Sequence, residues 1–138
     1  MGRAQATGLG IGVGFWTRRN WMTLAAISGF VAVAVGAFAA HGVSDPKAQE
    51  WLRTGSTYGF MHTMATLACA TFIQVGAKRA RYAPAFFLSG IVIFSGSLYA
   101  MALGGPRWFG AITPIGGLLF MIGWAVLAWA ARGVDPQG

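Results

Sequence analysis

Two histidines, His41 and His62, are the residues of this sequence best suited to chemistry. Imidazole can exchange a proton near neutral pH or bind a metal. His41 ends a run of small apolar residues, "GAFAAHG", and His62 lies inside the next apolar run. Ionisable groups in membrane-spanning runs are candidate site residues. One hypothesis, an alternative to a purely structural role, is therefore a ligand site in which His41 and His62 face each other or share a neighbour.

A polar stripe accompanies His62. Tyr58, His62, Thr66 and Cys69 follow at spacings of four, four and three, which places them on one face of a helix. On an apolar helix, this face is predicted to point into the protein. Tyr99 and Thr113 are predicted to lie in the same half of the bundle. The candidate ligand or polar cluster comprises His41, His62, Tyr58, Tyr99 and Thr113.

Several roles are open to this cluster, and the favoured one is structural hydrogen bonding. A quinone or lipid headgroup could accept hydrogen bonds from the histidine and tyrosine donors. Zinc would need Asp45 or Glu50 to complete its ligands. Haem would need both imidazoles on one iron, whereas straight helices place them about 7 Å apart in depth.

An enzyme is not predicted. The sequence contains no G-x-S-x-G motif, and no acid lies in an apolar run to orient a histidine. We therefore expect no catalytic residue, no metal and no cofactor.

The composition indicates an integral membrane protein of one domain. Of the 138 residues, 56% are hydrophobic and 9% charged, against about 25% charged in a typical soluble domain. Crossing the hydrocarbon core takes about 20 apolar residues as a helix. The sequence predicts an all-α, four-helix bundle in residues 21–131, with spans at 21–40, 57–76, 84–103 and 113–131.

The segments around these spans complete the predicted organisation. Residues 1–20 form an N-terminal extension and residues 132–138 a tail. Between the first two spans, "SDPKAQEWLRTG" predicts a short amphipathic helix lying on the membrane surface. Thr113 is predicted to cap the fourth helix, because it precedes Pro114.

The charges predict the orientation. Seven cations flank one side of the predicted spans and three flank the other. Because cytoplasmic loops carry the excess of Lys and Arg, both termini are predicted to be cytoplasmic in a multi-pass protein of the bacterial inner membrane. Nucleic-acid binding is not predicted, since the cations are scattered between apolar runs.

The N-terminal region has a second interpretation. "TRRNWM", followed by an apolar run and "AFA", is similar to a twin-arginine signal, and cleavage would leave three helices. The apolar run is longer than the usual core of about 7–15 residues in a signal peptide, so a retained helix is favoured.

Small residues at helical spacing predict close helix packing within the chain, because helices in lipid associate through such residues. The alternative use of these stripes is dimerisation. The predicted packing positions are Gly36, Gly96, Ala100, Gly104, Gly116 and Gly123.

Four motifs carry a resemblance to a known family. "GAFAAHG", "WLRTGSTYGFMH", "FSGSLYAMALGG" and "ITPIGGLLFMIGW" resemble the YgdD-like family, small bacterial membrane proteins of unknown function with relatives in animal mitochondria. The resemblance covers roughly residues 20–130 and implies a four-helix integral membrane protein. It supplies no reaction, substrate or cofactor.

These observations together predict a small, non-enzymatic inner-membrane protein that acts as an accessory or structural subunit of a larger membrane complex. Its partners would be the lipid bilayer and other membrane-protein subunits. The alternative is a protein that binds quinone, lipid, metal or haem through His41 and His62. A small transporter or channel is less favoured, because the polar stripe fades at Cys69. The sequence leaves the oligomeric state open.

Overall fold

A computed structural model describes residues 14–136 of the protein. The described residues are all-helical, with four long helices and two short 3-10 helices in the loops. The long helices are α1 Arg18–His41, α2 Pro46–Gln74, α3 Ala83–Ala102 and α4 Thr113–Ala131. The 3-10 helices are Lys78–Tyr82, before α3, and Arg107–Ala111, before α4. Of the predicted N-terminal extension, residues 1–13 lie outside the described part.

Helices α1 and α2 run antiparallel and approach closely. A Cβ added to Gly29 would lie 3.2 Å from the methyl carbon of Thr63, and one added to Gly36 would lie 2.9 Å from Oγ of Ser56. Ser56 Oγ donates a hydrogen bond to the carbonyl of Ala32. Gly36 therefore packs against a neighbouring helix, as small residues do where two backbones approach in lipid.

Helix α2 is continuous over 29 residues, and this corrects the prediction of a separate interfacial helix. The Asp45 carboxylate caps its N-terminus by accepting from the Ala48 N–H at 2.8 Å, and Pro46 occupies the first turn. Gly55, the last residue of the segment predicted to form the interfacial helix, is buried within α2. A Cβ there would lie 2.6 Å from the Tyr99 ring, so Gly55 serves the packing of α2 against α3.

Glycines also bring α3 and α4 together. Gly116 lies against the backbone of Phe94, where an added Cβ would be 2.5 Å from the nitrogen. Gly123 lies against the ring of Phe87, with a corresponding distance of 2.5 Å. Both glycines lie at the contact between the two helices, so larger side chains would separate them.

The predicted packing stripe on α3 is wrong at two of its three positions. An added Cβ at Gly96 or Gly104 would have no heavy atom within 4 Å. Gly96 is exposed, and Gly104 lies after the helix in a turn with φ +100°. Ala100 is half-buried. Residues Ser95 and Tyr99 carry the α3 surface that meets α2, because one step along a helix rotates the side chain by about 100°.

The start of α4 also differs from the prediction. Ile112 occupies the N-cap position and makes no side-chain cap bond, while Thr113 is the first helical residue. The Thr113 hydroxyl instead lies 2.5 Å from the Ser97 hydroxyl and donates to the Phe109 carbonyl at 3.3 Å. The threonine therefore joins α4 to α3 instead of capping its own helix.

Three segments of the described chain are long and apolar enough to cross a membrane: Arg18–His41, Lys78–Ala102 and Arg107–Ala131. These segments contain α1, α3 and α4. Helix α2 is longer than any of them but carries charged side chains in its first turns and buried polar side chains further along. By composition, α2 is therefore less apolar than the other three long helices.

Candidate functional site

The candidate site centres on His62, which α2 buries in the middle of the bundle with 3% of its surface exposed. Its Nδ1 lies 2.7 Å from the Tyr58 carbonyl, one turn earlier in the same helix. Its Nε2 accepts a hydrogen bond from the indole N–H of Trp124 in α4 at 3.0 Å. Both ring nitrogens of His62 are therefore hydrogen-bonded within the protein.

These two partners determine the protonation of His62. The indole nitrogen is a donor only, so Nε2 must carry a lone pair. The Tyr58 carbonyl is an acceptor only, so Nδ1 must carry the hydrogen. His62 is therefore the neutral Nδ1–H tautomer, without a lone pair left to ligate a metal ion.

Aromatic rings enclose the imidazole. Phe120 of α4 is stacked on it, with the ring centroids 3.6 Å apart and the planes at 4°. Phe87 of α3 lies at 5.7 Å and the Trp124 ring at 6.0 Å. This enclosure keeps water from the hydrogen-bonded nitrogens, and it joins three helices around one polar side chain.

A layer of hydroxyl groups accompanies His62 through the bundle. Thr66 donates to the His62 carbonyl at 2.7 Å, and Thr63 donates to Ser28 of α1 at 3.1 Å. Ser95 of α3 donates to the Gly55 carbonyl of α2 at 2.6 Å. Each of these buried hydroxyls has a partner within the chain, which removes the cost of leaving polar groups unpaired in lipid.

The two histidines are far apart, which corrects the prediction of a shared site. His41 is exposed at the end of α1. Because Gly36 lies beside Ser56 in the antiparallel pair, His41 lies at the level of Trp51. Trp51 precedes His62 by about three turns of α2, or roughly 16 Å along the axis. The prediction failed because it began the second helix at residue 57, whereas α2 begins at Pro46.

The other predicted site residues occupy separate places. The Tyr58 side chain is 42% exposed and packs on Phe94. Tyr58 meets His62 through its carbonyl and through its ring, which lies nearly parallel to the imidazole with the centroids 6.3 Å apart. Tyr99 is half-buried against Gly55, and Thr113 bonds Ser97 near the start of α4. The structure thus brings Tyr58 to His62 and distributes Tyr99 and Thr113 over other helix contacts.

Trp124 and Phe120 are the members of the site that sequence reasoning missed. Trp124 lies in the middle of an apolar span, whereas tryptophans in membrane proteins concentrate at the interfaces. An indole N–H at that depth needs an acceptor, and histidine is one of the few side chains in the spans that can supply it. The position of Trp124 in the middle of an apolar run was therefore the signal in the sequence for a buried hydrogen-bond partner.

Metal coordination finds little support in the described chain. Within residues 14–136, no group of three or more His, Cys, Asp or Glu side chains is placed to hold an ion. Cys69 is buried and its thiol donates to the Ala65 carbonyl at 3.3 Å. The site can therefore hold helices together and present an aromatic surface, while its polar atoms are already occupied.

Comparisons with a family model and with known proteins agree on one family. The family described as "Protein of unknown function (DUF423)" matches residues 35–117. A "UPF0382 membrane protein" of Haemophilus influenzae is 47% identical over 117 residues, which cover 83% of this chain and 94% of that protein. The "UPF0382 inner membrane protein YgdD" of Escherichia coli K12 is 42% identical over 126 residues, covering 88% of this chain and 96% of that protein.

More distant bacteria also contain relatives. A "UPF0382 membrane protein" of Staphylococcus epidermidis is 39% identical over 113 residues, covering 80% of this chain and 93% of that protein. No solved structure matches the chain. The resemblance to the YgdD-like family is confirmed by the relatives' identity and coverage. The protein is a membrane protein that belongs to the DUF423 (UPF0382) family, whose function is unknown.

Proposed function

We propose that this protein is a non-enzymatic, four-span inner-membrane protein that acts by contact with other membrane components. In this proposal, α2 crosses the membrane together with the three more apolar helices. It lies alongside α1 from Gly29 beside Thr63 to Gly36 beside Ser56. A helix packed along a membrane span shares its depth. Its polar side chains His62, Thr63 and Thr66 are buried, where neighbouring helices satisfy them.

With four spans, both termini lie on the same side of the membrane. Within residues 14–136, the end of the bundle where α1 begins and α4 ends has six flanking cations, against three at the other end. This difference supports cytoplasmic termini. Reporter fusions after Gly105 and after Gly138 test the topology. We expect the first reporter outside and the second inside; reporters on the same side would contradict four spans.

The observation that supports a contact role is that His62 has no free hydrogen-bonding nitrogen. Both of its nitrogens are hydrogen-bonded within the chain, by the Tyr58 carbonyl and the Trp124 indole. A general base or a metal ligand needs an accessible lone pair, and this imidazole offers none. The buried polar groups of this bundle are hydrogen-bonded within the chain. Such a bundle is suited to structural association with other membrane proteins.

Purification from the native membrane tests the accessory role. The chain, tagged and expressed from its own promoter, should migrate after mild-detergent extraction as a particle larger than its own micelle, with partner subunits in fixed proportion. A tagged membrane protein of similar size, handled identically, is the control for non-specific capture. Migration of the chain as its own small particle would contradict the accessory role.

A second candidate, binding of a flat apolar ligand, has one observation in its favour. A recess of about 630 Å³ opens beside His62 and is lined by Tyr58, Phe94, Gly117 and Phe120. The Gly117→Leu variant should fill the recess, because an added Cβ at Gly117 meets no atom within 4 Å. Gly96→Leu, also into open space, is the control.

Organic extraction of the purified protein distinguishes the two functions. A quinone or other chromophore that is retained by wild type and Gly96→Leu but lost from Gly117→Leu would support ligand binding. An equal amount in all three samples, or none, would contradict it.

A further inference from the structure

A pocket of about 740 Å³ lies at the end of the bundle where α1 begins. Its walls come from four segments: the start of α1 with the residues before it, the end of α2, the 3-10 helix Lys78–Tyr82, and the start of α3. This pocket is remote from His62, which lies in the middle of α2. The hydrogen bonds of His62, which support the proposed contact function, do not involve this pocket.

Three cations line this pocket: Arg18, Lys78 and Arg81. The Arg81 guanidinium is held in place by Tyr82, whose hydroxyl lies 2.7 Å away and whose ring centre lies at 4.7 Å. Among the described residues that line the pocket, none carries a carboxylate. Asp135 lies nearby against Gly76, outside the pocket wall. Three like charges around one pocket repel one another, and a bound anion would relieve that repulsion.

The cations at this end of the bundle differ in their contacts. Arg79 stacks over the Trp129 ring at 4.6 Å, so an aromatic face within the chain already engages it. Within residues 14–136, ion pairing is confined to Lys47 and Glu50 at the opposite end of the bundle. The cations around the pocket therefore lack acidic partners in the described chain.

The rest of the pocket is apolar. Of its lining residues, Trp21 is buried, with 3% of its surface exposed, and Ile73 and Phe86 add further apolar surface. Trp16, from the segment before α1, also lines the pocket. The pocket thus combines three cations with an apolar surface at the end of the bundle where α1 begins. This polarity matches an amphiphile with an anionic headgroup.

We propose that the pocket binds an anionic phospholipid, with the phosphate held by Arg18, Lys78 and Arg81 and an acyl chain along Ile73 and Phe86. Basic pockets between membrane helices recognise phospholipid headgroups through the same chemistry. Guanidinium and ammonium groups make charge-assisted hydrogen bonds to phosphate oxygens. The inference does not depend on the proposed accessory role.

The test is lipid titration of the purified full chain in detergent, followed by native mass spectrometry. The probe is dioleoyl phosphatidylglycerol, compared with dioleoyl phosphatidylcholine. The pocket variant is Arg18→Gln/Lys78→Gln. The matched control, Arg19→Gln/Arg132→Gln, removes two exposed charges from the same end but outside the pocket. At about fivefold per charge, the pocket variant should weaken phosphatidylglycerol binding by tenfold or more, and the control by much less.

A charge-preserving variant separates loss of charge from loss of fold. Arg18→Lys/Lys78→Arg should retain phosphatidylglycerol binding within a few-fold of wild type. Equal weakening by the two glutamine variants would overturn the proposal, because the charges would then act diffusely. Equal binding of phosphatidylcholine would also overturn it. Displacement of the lipid by equimolar inorganic phosphate would replace the lipid assignment with a site for soluble phosphate.

Discussion

The indole N–H of Trp124 donates a 3.0 Å hydrogen bond to Nε2 of His62, and it does so between α4 and α2, two helices that otherwise touch little. The same imidazole is stacked on Phe120 and held at Nδ1 by the Tyr58 carbonyl. The contacts of His62 thus fix its tautomer, the position of α4 against α2 and the packing of an aromatic cluster. The first predictions test this relationship.

Removal of the indole donor should destabilise the protein. Trp124→Phe keeps an aromatic ring but leaves Nε2 of a buried histidine without a partner. We expect a loss of about 1–2 kcal/mol in the free energy of unfolding, measured in detergent. Trp108→Phe is the control, because Trp108 is 62% exposed and stacked on Phe109, a contact that phenylalanine retains. Its effect should stay within about 0.5 kcal/mol. Similar losses for both variants would contradict the special role of Trp124.

A double-mutant cycle isolates the His62–Trp124 hydrogen bond. His62→Phe removes the acceptor, Trp124→Phe removes the donor, and the double variant removes both. Because the two side chains touch, the losses should not add. The coupling energy should be about 1 kcal/mol, the range of hydrogen bonds between membrane helices. Additive losses, determined from the same unfolding measurements, would show that the bond contributes nothing to stability.

Two adjacent glycines should respond differently to the same substitution. An alanine Cβ at Gly116 would lie 2.5 Å from the Phe94 backbone nitrogen, whereas one at Gly117 would meet nothing within 4 Å. Gly116→Ala should cost about 1–3 kcal/mol through overpacking, while Gly117→Ala should be neutral or slightly stabilising. Thermal unfolding of both variants in one detergent measures the difference. Equal melting temperatures would show that α3 and α4 are not in contact at Gly116.

The two histidines should be unequal. His62→Ala removes a buried ring and leaves the Trp124 donor unpaired, so we expect a loss of about 2–4 kcal/mol in unfolding free energy. His41 is exposed at the end of α1, and His41→Ala should change stability by no more than about 0.5 kcal/mol. Denaturant unfolding followed by circular dichroism measures both. A His41→Ala variant as unstable as His62→Ala would contradict the separation of the two sites.

The long apolar helices could be predicted from the sequence because a run of apolar residues is a local property. The lipid-facing surface of a helix needs about 20 apolar residues, and these can be counted without knowledge of any neighbour. The predicted span 113–131 agrees with α4, and 84–103 agrees with α3 within one residue at either end. The predicted span 21–40 lies inside α1. Burial of His62 also followed from the sequence, since the polar stripe on α2 had to avoid lipid.

The unbroken length of α2, the pairing of His62 and the positions of the packing glycines depended on tertiary structure. Gly55 could have ended a helix, but contact with Tyr99 makes it a packing residue inside one. The register between α1 and α2 moved His41 away from His62, and no local pattern encodes that register. The partner of His62 lies 62 positions along the chain, in α4. Hydrogen bonds and close contacts between helices depend on how the helices dock, and the docked arrangement gave His62 its tautomer and its partner.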